Sequence, residues 1–282
     1  MIQGRGSLPL MLPAGVVFMG LFFLPMAGLF VESFRLYVPG SIGSASDAPF
    51  TLANYAELLT PAFAGFFFET LRVSLLASAV GLVFSFPLAY WITRRFSLRW
   101  GAIAVGLFVT LMFLSVLVRT YAIELTFGAV GPLSPFLRSI GISPNGRAYI
   151  EILVGAGLLH YIVPMATLTL LGTVQNVDPR LVDAAQALGA PGWKAHLSIT
   201  LPLCMSGLLS AFLFAFTFSI SAFVIPMILG KGRVLFISNL IYNRFSEIAN
   251  YPSGAAISIV LFAVALLIVY VMSNQVAKRW TS

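Results

Sequence analysis

Residues 254–273 read GAAISIVLFAVALLIVYVMS, a stretch without a single charged side chain. A helix needs about 20 mostly apolar residues to cross the hydrocarbon layer of a bilayer. Further long apolar runs lie at residues 8–31, 73–93, 101–118, 150–174 and 199–229. Because only helices and closed barrels satisfy their backbone groups inside lipid, these runs predict an all-α integral membrane protein with about six transmembrane helices.

The composition also indicates a membrane protein. Hydrophobic residues make up 59% of the 282 positions, charged residues make up 9%, and the mean hydropathy is +0.98. A soluble domain carries about 25% charged residues. The strands of membrane barrels show alternating hydrophobicity over about 10 residues, and the apolar runs of this chain do not alternate. A helical bundle is therefore the predicted fold class.

The positive charges predict how the chain is oriented. The 16 Lys and Arg residues are scattered between the apolar runs, so the net charge of +7 indicates membrane-flanking loops and not a basic stripe for nucleic acid. With six spans, both termini and the loops after the second and fourth spans share one side. Lys and Arg are about twice as dense on that side, most visibly at Arg94, Arg95 and Arg99, which predicts cytoplasmic termini.

The N-terminal apolar run resembles a signal peptide only in its position. Residues 8–31 exceed the 7–15 apolar residues of a typical signal peptide core, and no clear A-x-A cleavage site follows them. We therefore expect an uncleaved first span.

The loop between the fourth and fifth runs carries the most specific pattern. It reads DPRLVDAAQALGAPGW at residues 178–193. Asp178 suits a helix cap and Pro179 the first helical position, whereas Gly189 suits the left-handed residue that ends a helix. The residues between them that form one apolar stripe at helical spacing are Leu181, Ala184, Ala185 and Leu188.

This pattern predicts a short amphipathic helix at about residues 179–189 on the cytoplasmic face. A helix shorter than about 12 residues barely forms alone in water, so another surface must cover the apolar stripe. The alternatives are the lipid headgroups, the chain's own bundle and a partner protein.

The same loop resembles the EAA signature of binding-protein-dependent ABC importer permeases. The resemblance is carried by Asp183-Ala184-Ala185, by Leu188-Gly189-Ala190 and by Ile199-Thr200-Leu201-Pro202, with Gly189 and Pro202 thirteen positions apart (202 − 189) as in the family. In that family the segment is a coupling helix that docks into a groove on the ATPase subunit. The ATPase-coupling residues implied by the resemblance are Asp183, Ala184, Ala185, Leu188, Gly189, Ala190 and Pro202.

Three positions depart from the family pattern. Asp183 replaces the commoner Glu, Ala187 stands where many relatives have an acidic or hydroxyl residue, and His196 stands where an aromatic residue is usual. These departures concern the polar contacts at the ATPase groove.

The wider resemblance covers residues 50–273 and is greatest to the first permease of spermidine/putrescine importers. It is carried by TLANY at 51–55, FPLAY at 86–90, LVRTY at 117–121 and YPSGAA at 251–256. It implies a first span and the start of a periplasmic loop at 1–49, an importer transmembrane domain at 50–274, and a cytoplasmic tail at 275–282.

The resemblance also implies a set of partners and a substrate. The partners are a second homologous permease, two ATPase subunits and a periplasmic solute-binding protein. The substrate is a small polar organic solute, with a polyamine such as spermidine or putrescine as the expected class. Importers of this kind also carry amino-acid derivatives, phosphonates and metal complexes, and these substrates stay open as alternatives.

Several absences predict that the chain is not an enzyme. It lacks the G-x-x-x-x-G-K-[ST] loop that cradles nucleotide phosphates, so ATP and Mg²⁺ are expected on a partner subunit, and we expect no cofactor, catalytic residue or metal ligand here. The single cysteine, Cys204, excludes an intrachain disulfide.

No Asp or Glu lies in the middle of a predicted span, which argues against a carrier driven by protons or sodium ions. An ion-coupled secondary transporter and a membrane-embedded scaffold remain the alternatives from other functional classes.

The candidate residues for the solute pathway lie near the third and fourth spans. Glu124, close to Arg119 and Tyr121 in the sequence, is a candidate entrance for a cationic solute, and the alternative is an interfacial anchor or a local ion pair. His160 and Tyr161 fall within the fourth span. They are candidates to line the pathway, and the alternative for a lone buried histidine is a packing role.

Overall fold

The computed structural model describes residues 8–40, 43–44 and 48–280. The ends of the two predicted terminal segments, at residues 1–7 and 281–282, lie outside the described residues. Within the described part the chain is helical and forms no strand, although one antiparallel bridge joins Arg35 and Phe50.

The helices follow one another along the chain with two π-helical turns between them, at His196–Thr200 and Asn243–Glu247. In order they are α1 (Leu8–Ser33), α2 (Ala53–Leu58), α3 (Pro61–Arg94), α4 (Leu98–Phe113), α5 (Val116–Phe127), α6 (Ser134–Ser139), α7 (Arg147–Gln175), α8 (Arg180–Ala187), α9 (Gly192–Ala195), α10 (Leu201–Leu203), α11 (Met205–Ser221), α12 (Val224–Leu229), α13 (Ile237–Tyr242) and α14 (Tyr251–Trp280).

Four of the described helices, α1, α3, α7 and α14, are each long and apolar enough to cross a membrane. Two further stretches pass the same test only as bent pairs. The pair α4 and α5 bends by 95°, and the stretch from α9 to α10 bends by 72° where it meets α11. With each bent pair counted as one span, there are up to six spans. The predicted all-α membrane fold is confirmed.

The boundaries of the third apolar run were predicted wrongly. Residues 101–118 were expected to form one span, but α4 ends at Phe113 and α5 begins at Val116. Leu114 has an extended backbone, with a ψ angle of 135°, and it breaks the helix. Hydropathy shows which residues are apolar but not where the backbone changes direction. The break could therefore not be predicted from the apolar run.

The fifth apolar run, 199–229, also contains a break. The helix α11 ends at Ser221, and Ala222 is extended with a ψ angle of 123° before α12 begins at Val224. The second span is longer than predicted, because α3 begins at Pro61 and not near residue 73.

The chain forms two compact units. The first consists of the described residues of Met1–Ala64 and of Leu240–Val264. Within it, the Glu57 carboxylate accepts hydrogen bonds from Arg244 at 2.6 Å and from the Ser253 hydroxyl at 3.3 Å. The Asn54 side chain donates to the backbone carbonyl of Ser33 at 2.9 Å.

The second unit consists of the described residues of Gly65–Asn239 and Ala265–Ser282, and α7 lies at its centre. Helices α4, α5, α11 and α12 all contact α7. Every fourth residue of α7 is fully buried, and these residues form a ridge of the kind that packs between the side chains of neighbouring helices. The residues of the ridge are Ile150, Val154, Leu158, Ile162, Ala166 and Leu170. This packing fixes α7, so that its C-terminal end can position α8.

Candidate functional site

The predicted cytoplasmic helix is present as α8, and a capped turn precedes it. The Asp178 carboxylate accepts a hydrogen bond from the backbone N–H of Arg180 at 2.9 Å. The backbone N–H of Val182 donates to the carbonyl of Pro179 at 3.1 Å. These bonds satisfy donors that the first turn of a helix leaves free. Asp178 thus makes the contact expected of a cap, although the helix begins at Arg180 and not at Pro179.

The end of α8 is a left-handed turn at Gly189, whose φ angle is +90°. The N–H of Gly189 donates to the carbonyl of Gln186 at 2.9 Å, and the N–H of Ala190 donates to the carbonyl of Ala185 at 3.1 Å. This pair of bonds is a Schellman motif. No atom lies within 4 Å of the position of an added Cβ at Gly189, so the backbone angle alone requires glycine here.

Large apolar side chains are exposed on α8 and on the segment after it. Leu188 is 90% exposed and Trp193 68% exposed, and Leu181 and Leu197 are also exposed. Val182 is buried instead, so it is the residue that anchors α8 to the second unit. The predicted stripe of Leu181, Ala184, Ala185 and Leu188 is thus mostly uncovered, with Ala185 half-buried.

His196 lies in the π-helical turn that leads from α9 toward α10. Its ring packs edge-on against Tyr90 of α3, with centroids 4.8 Å apart, and its Nδ1 lies 3.2 Å from the Thr200 hydroxyl. The family pattern usually has an aromatic residue at this position. In this chain the His196 imidazole makes the ring contact instead. Pro202, which completes the motif, is exposed in α10.

Arg94 connects α3 to the segment before α8. It is the last residue of α3, and its Nη2 donates to the backbone carbonyl of Val174 at 2.7 Å and also to that of Val177. The last carbonyls of a helix have no partner within the helix, and Arg94 supplies one for the end of α7. Arg94 was predicted to lie in a cytoplasmic cluster, but this role was not predicted, because the backbone carbonyls that it contacts leave no mark in the sequence.

Arg119 lies inside the second unit above an aromatic pair. Its guanidinium carbon is 5.2 Å from the centre of the Tyr161 ring, and Tyr161 stacks on Phe218 with centroids 3.9 Å apart. The residue is 8% exposed, and none of its three guanidinium nitrogens has a hydrogen-bond partner within the described part of the chain. Such a contact stabilises a buried cation only partly.

A small cavity of about 10 Å³ lies between α5, α7 and α12, room for about one water molecule. Arg119, His160 and Tyr161 all border it. Tyr121 does not, and its side chain is exposed. The structure therefore brings together three of the five predicted pathway residues.

Glu124 forms an ion pair with Lys231, which the sequence analysis did not select. The Lys231 Nζ lies 2.7 Å from the Glu124 Oε1, and the two side chains are 26% and 17% exposed. The structure thus contains the local ion pair that stood as the alternative for Glu124, whereas a role at the entrance stays a prediction. The position of Lys231 between Gly230 and Gly232 was a signal of an unusual backbone.

These helices define a multi-pass membrane protein with a short, exposed amphipathic helix between α7 and α11. A family model described as "Binding-protein-dependent transport system inner membrane component" matches residues 141–282, half of the chain. The chain belongs to this family. It is an inner-membrane permease subunit of an ABC importer.

Relatives over most of the chain bear a more specific name. A protein of Haemophilus influenzae named "Spermidine/putrescine transport system permease protein PotB" is 29% identical over 82% of this chain and 82% of its own. The protein of the same name from Escherichia coli K12 is 27% identical over 82% of this chain and 85% of its own.

A solved structure shares the fold. A chain of a bacterial alginate ABC transporter, solved in complex with an alginate pentasaccharide-bound periplasmic protein, superposes with a TM-score of 0.72. The match covers 98% of this chain and 95% of that chain, at 20% sequence identity.

Proposed function

We propose that this permease forms half of the membrane pathway of a polyamine importer, with spermidine or putrescine as its substrate. The proposal rests on the relatives from Haemophilus influenzae and Escherichia coli, which carry that name and align with 82% of the chain. The predicted alternatives are an amino-acid derivative, a phosphonate and a metal complex.

In this proposal the exposed face of α8 docks on an ATPase subunit. Leu181, Leu188 and Trp193 expose large apolar side chains on one short segment. Burying Leu188, which is 90% exposed, against a partner would contribute roughly 1.5–3 kcal/mol to binding. The smaller residues at this contact are Asp183, Ala184, Ala185, Gly189, Ala190 and Pro202. ATP and Mg²⁺ bind the partner, since this chain has no phosphate-binding loop.

The proposed assembly contains a second, homologous permease, two ATPase subunits and a periplasmic binding protein that delivers the solute. Both termini of this chain lie in the cytoplasm, as the density of Lys and Arg residues predicts. The alginate transporter was solved with a periplasmic protein bound, which supports a partner of that kind here.

One feature favours an anionic solute as the second candidate. The Arg119 guanidinium is buried beside the small cavity, and no carboxylate of the described residues pairs with it. Arginine binds carboxylate and phosphate groups through its planar fork of N–H donors. An oxyanion is therefore the solute to compare with the polyamines.

The test is uptake of radiolabelled putrescine, spermidine and phosphate into vesicles that contain the reconstituted transporter complex. We expect ATP-dependent uptake of the two polyamines, and no uptake when ATP is omitted. Uptake that needs no ATPase subunit, or ATP-dependent uptake of phosphate alone, would contradict the proposal.

The proposed contact between α8 and the ATPase subunit is tested in the same vesicles with the variant Gly189→Val. A residue with a side chain pays roughly 1–2 kcal/mol in the left-handed conformation, so the introduced valine should unwind the end of α8 and reduce uptake at least tenfold. Gly192→Val is the matched control, because an added Cβ there meets only the Gln186 amide at 3.6 Å and the backbone needs no left-handed angle. Equal loss of uptake in both variants would show that the size of the added side chain, and not the left-handed turn at Gly189, causes the loss.

A further inference from the structure

The Lys231 side chain reaches Glu124 from an unusual backbone position. Lys231 lies in the loop between α12 and α13 and has a positive φ angle of 49°, which few residues other than glycine adopt. Gly230 precedes it and Gly232, at a φ angle of +71°, follows it. Gly230 is buried, and its carbonyl accepts hydrogen bonds from the N–H groups of Arg233 at 2.8 Å and Val234 at 3.2 Å. The loop therefore holds the Lys231 backbone in place, and the flexible side chain is the part that can move.

Lys231 contacts only one of the two carboxylate oxygens of Glu124. It lies in the last turn of α5, and its Oε1 is 2.7 Å from the Lys231 Nζ. Its other oxygen, Oε2, is buried and has no hydrogen-bond partner among the described residues. A carboxylate accepts several hydrogen bonds and an ammonium group donates three. The site therefore has unused capacity for a second N–H donor.

The group bound at Glu124 has the same chemistry as one end of the proposed substrate. A lysine side chain is a compact ammonium on a flexible four-carbon stem, and putrescine and the longer arm of spermidine also end in a primary ammonium on a four-carbon chain. We propose that Glu124 binds the aminobutyl end of the solute and that Lys231 occupies this site as an internal substitute. This inference rests on the polyamine substrate proposed above.

The rest of the second unit shows why Lys231 can leave. The other ion pair at the same distance, Arg72 with Glu151 at 2.7 Å, joins two long helices, α3 and α7. Lys231 instead comes from a loop and reaches Glu124 through a flexible four-carbon stem, so a change of side-chain rotamer alone can release the carboxylate. An incoming ammonium can take its place at Glu124 without moving a helix.

Competition by an internal group has a defined kinetic consequence. When only a fraction of the sites is free, the apparent dissociation constant of the solute rises by the inverse of that fraction. Removing the lysine ammonium should therefore lower the KM for polyamine, whereas removing the carboxylate should raise it.

The first test measures putrescine uptake by the reconstituted complex with Lys231→Met, Glu124→Gln and the double variant. We expect the KM to fall about threefold or more with Lys231→Met and to rise about tenfold or more with Glu124→Gln. In the double variant, Lys231→Met should no longer lower the KM, because the carboxylate is absent. The matched controls are Arg72→Met and Glu151→Gln, which should leave the KM unchanged. An unchanged KM in both site variants, or equal shifts in the controls, would overturn the inference.

A second measurement does not depend on transport. In the purified complex with Lys231→Ala, n-butylammonium should fill the space that the lysine leaves and should raise the thermal unfolding midpoint in proportion to its occupancy. Neutral n-butanol should not do so, and neither amine nor alcohol should stabilise the variant that combines Lys231→Ala with Glu124→Gln. If n-butylammonium and n-butanol changed the unfolding midpoint equally, the inference would be wrong.

The two measurements also separate this inference from the proposed function. If the wild-type complex takes up no polyamine but n-butylammonium still stabilises the Lys231→Ala variant, the proposed substrate is wrong and the ammonium site stands. If polyamine uptake is normal and insensitive to Lys231 and Glu124, the proposed substrate stands and the inference fails.

Discussion

At the scale of single residues, Arg119 is a buried cation whose guanidinium has no hydrogen-bond partner among the described residues. A buried charge without a hydrogen-bonded partner carries a desolvation cost of several kcal/mol. The contact of Arg119 with the Tyr161 ring at 5.2 Å returns about 2 kcal/mol. A charged residue inside a membrane-spanning helix is a candidate for a role in function.

Replacing Arg119 by Met should therefore stabilise the protein. Met is unbranched and flexible enough to fill the same space, and its neutral side chain removes the uncompensated charge. We expect the thermal unfolding midpoint of the complex in detergent to rise by at least about 2 °C, while solute uptake falls. Arg72→Met is the matched control, because Arg72 pairs with Glu151 at 2.7 Å, so its midpoint should fall. A fall of equal size in both variants would show that Arg119 serves only the fold.

The sequence allowed some of these residue roles to be predicted and not others. The cap at Asp178 and the left-handed Gly189 depend on neighbours a few positions away, so local patterns were enough. The contacts of Arg119 with Tyr161 and of Glu124 with Lys231 join distant parts of the chain. No local pattern encodes such pairs, since tertiary packing decides them.

At the scale of elements, the junction of α3, α7 and α8 is the part that can carry force. Arg94 at the end of α3 donates to the carbonyls of Val174 and Val177, which lie just before α8. The buried Val182 fixes α8 to the same unit. Hydrogen bonds and a buried side chain thus tie α8 to the ends of two long helices, α3 and α7.

Removing this link should uncouple ATP hydrolysis from transport. In the reconstituted complex, we expect Arg94→Ala to lower the amount of solute taken up per ATP hydrolysed by about fivefold or more, because two charge-assisted bonds to the carbonyls are lost. Arg95→Ala is the matched control, since Arg95 is the exposed neighbour in the same basic cluster. An unchanged ratio with Arg94→Ala would show that α8 acts on the spans without α3.

The elements themselves were predictable to different degrees. Long apolar runs identified α1, α7 and α14 with ends correct to within a few residues, apart from the C-terminal extension of α14 to Trp280. The breaks after Phe113 and after Ser221 were missed. Neither break contains proline or glycine, so the usual markers of a helix end are absent and packing must set the new direction.

At the scale of the whole molecule, the side of the membrane on which α8 lies depends on the bent pair α4 and α5. If this pair crosses the membrane once, the loop after α5 lies outside and α8 lies in the cytoplasm, given cytoplasmic termini. If the pair enters and leaves on one side, α7 crosses in the opposite direction. The loop after α5 then lies in the cytoplasm and α8 lies outside, where it could not meet an ATPase subunit.

Single introduced cysteines distinguish these two topologies. The native Cys204 is buried, so it should react little with a membrane-impermeant maleimide. Leu188→Cys and Val130→Cys place thiols at positions that are 90% and 87% exposed in the wild-type chain. In intact cells with a permeable outer membrane, we expect labelling of the Val130→Cys variant and not of the Leu188→Cys variant, and the reverse in inside-out vesicles. The opposite pattern would make α4 and α5 a re-entrant pair and would place the exposed face of α8 outside the cytoplasm, where no ATPase subunit could dock.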